Sequence, residues 1–111
     1  MELFTTAEDH FQTVVQSLRR TYHVRATITG ALDRETGALD GTGRLQNSLR
    51  RICSEMNGKL DAQVIEGGFN TAESIAARIL ALLSSDCPGL IRVEVKPLGD
   101  AVWAAATRTP R

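Results

Sequence analysis

The spacing of the apolar residues changes twice along this chain of 111 residues, and this change restricts the fold more than any other feature. Apolar and polar residues alternate over residues 22–29, recur at helical intervals over residues 45–56 and 75–83, and alternate again over residues 91–96. A period of two is typical of a half-buried strand, whereas apolar residues three and four apart are typical of an amphipathic helix. The pattern therefore predicts strands towards both ends of the chain, with two helices between them.

The first alternating stretch predicts a strand with two chemically different faces. One face carries Tyr22, Val24, Ala26 and Ile28, and the other carries His23, Arg25, Thr27 and Thr29. Residues 33–37 (DRETG) follow as a hairpin-like turn, in which Gly37 can take a positive φ. Residues 1–6 are compatible with an earlier strand. Residues 7–20 fit either a helical stripe or a strand, and the sequence leaves both open.

The middle of the chain predicts two helices with recognisable ends. Thr42 is the expected N-cap of the first helix, and Gly58 follows its last turn. The second helix begins at Asn70, whose side chain can cap it while Glu73, at the third helical position, reaches back as in a capping box. It stops before residues 87–89 (CPG). The buried stripes are Leu45, Leu49, Ile52 and Met56 in the first helix, and Ile75, Ile79, Leu82 and Leu83 in the second.

The last part of the chain returns to strands. Ile91, Val93 and Val95 alternate with Arg92, Glu94 and Lys96. A turn over residues 97–100 then leads to a closing strand over residues 101–107, which contains Trp103. The order β-β-α-α-β-β predicts an α+β fold: a four-stranded antiparallel sheet with both helices on one face. We expect one domain over residues 1–111, with a loosely held tail at residues 108–111.

Such a sheet has two open edges and one uncovered face. Proteins protect open edges by charge, by cover or by closure of the sheet, and closure of several sheets into one barrel removes the edges altogether. We therefore expect the chain to form a ring-like homo-oligomer.

Charge and composition exclude several classes of protein. Thirteen Lys and Arg balance thirteen Asp and Glu, so no net field attracts nucleic acid or an anionic membrane. The apolar run at residues 79–83 is far shorter than the ~20 residues that span a bilayer. The start of the chain lacks the basic and apolar pattern of a secretory signal, and we expect a cytoplasmic protein. Cys53 and Cys87 have no C-x-x-C spacing, so we expect buried, reduced thiols.

Few residues offer catalytic or metal-binding chemistry. His10 and His23 are the only histidines, so one chain cannot supply three imidazoles to a metal. His23 lies on the polar face of its strand, which favours a surface histidine, with a base or a ligand as the alternative. The string at residues 8–10 (EDH) is compatible with weak metal binding. Residues 41–43 (GTG) could present N–H groups to an anion, but they match neither phosphate-loop pattern.

Several short strings, taken together, resemble one family. Residues 22–30 (YHVRATITG) and 32–37 (LDRETG) look like the strand and the D-x-E-T-G turn of the 6-pyruvoyl tetrahydropterin synthase and 6-carboxytetrahydropterin synthase family. Residues 70–76 (NTAESIA) are similar to its P-T-x-E-x-L-A helix start, and residues 91–95 (IRVEV) with the following hairpin match its last two strands.

The resemblance covers residues 20–107 and implies the tunnelling fold, in which such units assemble into barrels with ligand pockets between subunits. It also implies a pterin-like or purine-like ligand. Thr71 and Glu73 match positions that line the family's pocket, although Glu73 is most simply a helix cap.

The family's zinc chemistry does not carry over to this chain. The family holds zinc with three histidines and uses a catalytic cysteine and an L-D-H string. In this chain, the places of the three histidines are taken by Glu8, Leu18 and Arg20. Val14 lies near the place of the catalytic cysteine, and residues 56–58 (MNG) take the place of the L-D-H string. Leucine and valine provide neither a metal ligand nor a base, so no cofactor is predicted. Zinc would need a different alignment of residues 7–20, with His10 or a neighbouring subunit's His23 contributing.

Three functions remain open on these residues. The first is a divergent, oligomeric member of the family with an intersubunit pocket for a pterin-like ligand and without the zinc reaction. The second is an active pterin synthase of the carbon–oxygen lyase type, for which His23 and Lys59 are the candidate catalytic residues beside Glu73. The third is a non-catalytic assembly partner of a complete paralogue.

Overall fold

The computed structural model describes residues 2–59, 64 and 71–108, except the side chain of Val15. The elements in chain order are β1 (Phe4–Val15), β2 (Leu18–Thr29), α1 (Thr42–Met56), α2 (Ala72–Ser84), β3 (Leu90–Pro97) and β4 (Ala104–Thr107). The four strands form one antiparallel sheet in the order β1-β2-β3-β4. The predicted succession and the α+β class are confirmed.

The long β1–β2 hairpin resolves the ambiguous start of the chain. Every residue of β1 pairs with β2, from Phe4 opposite Thr29 to Val15 opposite Leu18. The helical alternative for residues 7–20 is therefore wrong. The two-residue connection, Gln16–Ser17, has φ angles of 49° and 69°. Two-residue loops with positive φ match the twist of the flanking strands, and this turn has that geometry although neither residue is glycine.

Both helices cover one face of the sheet, which we call the inner face; the opposite face is the outer face. The predicted faces of β2 are confirmed, because Tyr22, Val24, Ala26 and Ile28 are buried and the residues between them are only partly so. The helices add Leu45, Leu49, Ile52, Ile75, Ile79 and Leu83 to the same core. Leu82, which the pattern placed in the stripe, is only partly buried against that core.

The two cysteines lie in this core as free thiols. The side chain of Cys53 is 2% exposed, and burial, assisted by the negative charge of Asp9, raises the pKa of its thiol to about 12. Burial also raises the pKa of the Cys87 thiol, with a smaller contribution from Asp86. Both thiols therefore stay protonated and unreactive at neutral pH.

The turn over residues 33–37 leads into α1. Leu32 and Leu39 form an isolated β-bridge around it, and Gly37 has φ 72°, which confirms the hairpin-like turn. The N-cap of α1 is Gly41 and not Thr42 as predicted. The hydroxyl of Thr42 instead donates to the Leu39 carbonyl at 2.6 Å, and it is therefore not the acceptor that a cap requires.

The start of α2 also differs from its prediction. The N-cap is Thr71, whose Oγ1 accepts the backbone N–H of Ser74 at 3.1 Å. Glu73 is consequently the second helical residue instead of the third. Asn70, the expected cap, lies outside the described residues.

The two C-terminal strands differ in detail from their sequence pattern: β3 extends one residue beyond it at each end, whereas β4 is shorter. Leu90, and not Ile91, pairs with Ile28, because the register shifts beside Ile28; Ile91 is therefore only partly buried. The closing strand covers only Ala104–Thr107, so Trp103 lies just before it. Among the described residues, no helix is long and apolar enough to cross a membrane.

Candidate functional site

A concavity of about 240 Å³ lies on the inner face, where the sheet meets the start of α2. Its polar and charged lining consists of Arg20, Tyr22, Thr71, Glu73 and Asp100. Thr71 and Glu73, the two residues that the resemblance assigns to a ligand, are therefore brought together. We call this concavity the α2 pocket.

The strand β2 contributes Arg20 and Tyr22 to the α2 pocket. They are two residues apart and therefore point to the same face of the strand. The Tyr22 ring is 1% exposed and stacks on the buried Phe11 ring, with centroids 5.4 Å apart. Its hydroxyl accepts a hydrogen bond from the Arg20 guanidinium at 3.2 Å. Packing thus fixes the position of the phenol, and the phenol in turn orients the guanidinium.

The first turn of α2 contributes Thr71 and Glu73. The Thr71 hydroxyl is already engaged, because it caps the helix and lies 3.1 Å from the Ser74 hydroxyl. The Glu73 side chain is exposed, and the described part of the chain gives its carboxylate no hydrogen bond or ion pair. A carboxylate in the first turn of a helix is stabilised by the helix dipole. Glu73 therefore offers two uncommitted acceptor oxygens at the mouth of the α2 pocket.

His23 and Lys59, the candidate catalytic residues, do not join this site. His23 follows Tyr22 in β2, and adjacent residues of a strand point to opposite faces, so it lies on the outer face. Lys59 is exposed beside β1, where its carbonyl accepts the Val14 N–H at 2.9 Å. Neither residue lines the α2 pocket.

The residues at the expected zinc positions do not fit the metal. Glu8 pairs with Arg25 on the outer face, whereas Leu18 and Arg20 belong to the inner face. Arg20 and Arg25 are five positions apart in β2, so their Cα atoms are separated by roughly 17 Å. Leu18 carries no donor atom, and the guanidinium of Arg20 has no lone pair to offer a cation. Within the described ranges, no group of three His, Cys, Asp or Glu is arranged to hold a metal.

A larger cavity, of about 620 Å³, lies at the opposite end of the sheet. It is bounded by the end of β2, the first turn of α1 and the turn before β3, and the glycines of residues 41–43 border it. Its charged lining residues are Asp40 and Arg44. None of the residues that the resemblance assigns to a ligand lies there, so the α2 pocket remains the candidate site.

Sequence reasoning missed part of the α2 pocket. It assigned Tyr22 to the core, and it considered Arg20 only as the residue that replaces a metal-binding histidine. It did not single out Asp100. The available signal was the two-residue spacing of Arg20 and Tyr22, which places both on one face of β2. No pattern in the sequence indicates that this end of β2 faces the start of α2.

The sheet order, its helical cover and the α2 pocket together define an α+β unit of the tunnelling type. No family model matches the sequence, and no curated protein matches it. Similarity appears in structure. The 6-pyruvoyl tetrahydropterin synthase of Caenorhabditis elegans superposes with a TM-score of 0.82 at 11% identity, over 98% of this chain and 97% of that chain. An archaeosine synthase QueF-Like in its apo form gives a TM-score of 0.52 at 12% identity, over 93% and 90%.

The chain therefore has the fold of 6-pyruvoyl tetrahydropterin synthase, as the resemblance of its short strings implied. At this level of identity the likeness is one of fold. It leaves ligand and reaction to be argued from the residues of the α2 pocket.

Proposed function

We propose that this protein is a divergent relative of the 6-pyruvoyl tetrahydropterin synthases that binds a pterin-like or purine-like molecule without the zinc-dependent reaction. We further propose that it acts in the cytoplasm as a homo-oligomer, with the ligand between subunits. The observation that carries the proposal is the meeting of Thr71 and Glu73 with Arg20 and Tyr22 in one concavity. The likeness in fold over 98% of the chain supports it.

The chemistry of Glu73 suits the edge of a pterin or guanine ring. That edge carries neighbouring N–H groups, and one carboxylate can accept two parallel N–H bonds at once. Glu73 is exposed and without a hydrogen-bond partner in the described part of the chain, so ligand binding breaks no existing bond. The Tyr22 hydroxyl and the Arg20 guanidinium add polar contacts for the ligand's other atoms.

The size of the α2 pocket supports a place between subunits. Its 240 Å³ is below the roughly 300–1,000 Å³ of ordinary ligand sites. Large apolar side chains stand exposed around it: Leu98 is 67% exposed, Val102 75% and Leu18 73%. Val102 itself lines the pocket. A second copy placed over this end of the sheet would bury these side chains and supply the missing wall.

Replacing Glu73 by glutamine is expected to weaken ligand binding by about 10-fold or more. A charge-assisted hydrogen bond contributes about 1.5–3 kcal/mol, and the amide cannot accept two N–H bonds in the same way. The measurement is isothermal titration calorimetry of the full chain with neopterin and, separately, with guanosine. The free energy of unfolding should change by less than about 0.5 kcal/mol, because the side chain is exposed.

The matched control is Glu55→Gln, which neutralises an exposed carboxylate on α1. It should leave the affinity unchanged. Equal affinity of the wild type and Glu73→Gln would contradict the role of Glu73. The absence of binding of either compound to the wild type would contradict the proposed ligand class.

Replacing Val102 by aspartate is expected to convert the oligomer into monomers and to weaken neopterin binding with it. A charge at the centre of an apolar contact must lose its water or break the contact. Multi-angle light scattering after size-exclusion chromatography measures the mass. Leu32→Asp, at an exposed leucine in the turn before α1, is the control and should stay assembled. A wild-type monomer at micromolar concentration would contradict the proposed assembly.

A further inference from the structure

The two histidines of the chain form a cross-strand pair on the outer face, remote from the α2 pocket. His10 lies directly opposite His23 in the β1–β2 register. Their ring centroids are 6.2 Å apart, and the ring planes are inclined by 40°. The His10 side chain is 66% exposed and His23 is partly exposed. Both imidazoles are thus accessible from solvent.

This spacing suits a single metal ion held by two imidazoles. A zinc–nitrogen bond is about 2.0–2.1 Å long, so the centroids of two imidazoles on one ion lie roughly 5–6.5 Å apart, depending on the angle at the metal. The paired strands fix both backbones, so only side-chain rotations are needed to close the site. Imidazole nitrogen favours zinc, copper and nickel over magnesium and calcium.

Charges of both signs surround the pair. Lys96 lies opposite His23 on β3, and it lines a small hollow together with His23 and Trp103, its ammonium 5.0 Å from the centroid of the Trp103 ring. Two carboxylates lie on the β1 side. Glu8 lines the same hollow, and Asp9 Oδ1 is 3.8 Å from Nδ1 of His10. The negative charges of Glu8 and Asp9 offset the positive charges of Lys96 and of a bound ion.

We propose that His10 and His23 bind one divalent transition-metal ion of the zinc, nickel and copper class, with water at its remaining positions. The site does not rest on the proposed function, because the two histidines lie on the opposite face from Glu73. An ion held between β1 and β2 binds only the folded hairpin and therefore raises the stability of the native state.

The test is a titration of the tag-free full chain with ZnCl₂, NiCl₂ and CuCl₂, by calorimetry and by competition with a chromophoric chelator. His10→Asn and His23→Asn should each lower the affinity about 10-fold or more, because each removes one of two ligands. The double variant should bind more weakly than either single variant, because it keeps neither ligand. In the wild type, the Cu²⁺ electron paramagnetic resonance spectrum should show two coupled nitrogens.

Two controls separate this site from the other donors of the chain. Cys53→Ala and Cys87→Ala should keep the wild-type affinity, since both thiols are buried. Without metal, the two histidine variants should unfold at the wild-type temperature, because both side chains lie at the surface. Unchanged affinity in either histidine variant, or loss of binding in a cysteine variant, would overturn the proposal.

Discussion

Replacing Phe11 by alanine is expected to lower the free energy of unfolding by about 3–5 kcal/mol. The Phe11 side chain is fully buried on the inner face of β1, and its ring stacks on that of Tyr22 on the neighbouring strand. The register of the β1–β2 hairpin holds the strands in place, so the space left by the ring cannot close. A domain of this size has roughly 5–15 kcal/mol of stability in total, so the loss is a large fraction of it.

Denaturation by urea measures this loss. Phe11→Leu keeps part of the volume and should cost only about 1–2 kcal/mol. Gln46→Ala, at an exposed position of α1, should change the stability by less than about 0.5 kcal/mol. A cost below about 1.5 kcal/mol for Phe11→Ala would contradict the packing of the two rings. Where Phe11→Ala remains folded, neopterin binding should also weaken, because Tyr22 loses its support beside the α2 pocket.

The two strands of this hairpin differ in how well the sequence predicts them. In β2, every second residue from Tyr22 to Ile28 is apolar and buried, so the environment repeats with the period of the sequence. In β1, the inner face includes Asp9 and Thr13 beside Phe11, and this mixture hides the alternation. Pairing with β2 favours a strand over a helix for β1. This is a tertiary effect that a single segment does not encode.

The sequence predicted only those residues of the candidate site that lie together in one short segment. Thr71 and Glu73 lie within one short string at the start of α2, and the string identified both. Arg20 and Tyr22 reach the same pocket through the pairing of β2 with β3, which depends on residues far along the chain. The exclusion of His23 from that pocket was available from the sequence, because it is adjacent to Tyr22 in an alternating strand.

The histidine pair depends on the register of the first hairpin. A two-residue loop at Gln16–Ser17 places His10 opposite His23, and a loop one residue longer would remove this opposition. Asn-Gly is the dipeptide that usually indicates such a loop, and this chain uses Gln-Ser instead. The sequence therefore showed two isolated histidines, and the turn conformation made them a pair.

Replacing Gly89 by alanine is expected to lower the free energy of unfolding by about 1–3 kcal/mol, because the new methyl group collides with backbone. Gly89 precedes β3 and packs directly on Thr29 at the end of β2. A Cβ added there would overlap the carbonyl oxygen of Thr29. The two residues cannot simply move apart, since the Gly89 carbonyl accepts the Thr29 N–H at 2.9 Å. Relief of the overlap therefore breaks that bond or shifts the start of β3.

Gly43→Ala is the matched control for this substitution, because it adds the same methyl group where no atom lies within 4 Å, apart from the chain neighbours and the backbone of α1 itself. Gly43 lies in the first turn of α1, where alanine is favoured over glycine by up to about 1 kcal/mol. Urea denaturation should thus give opposite signs, a loss for Gly89→Ala and a gain for Gly43→Ala. A gain or no change for Gly89→Ala would contradict the close approach at Thr29. Losses of similar size in both variants would mean that glycine replacement in general, and not this contact, lowers the stability.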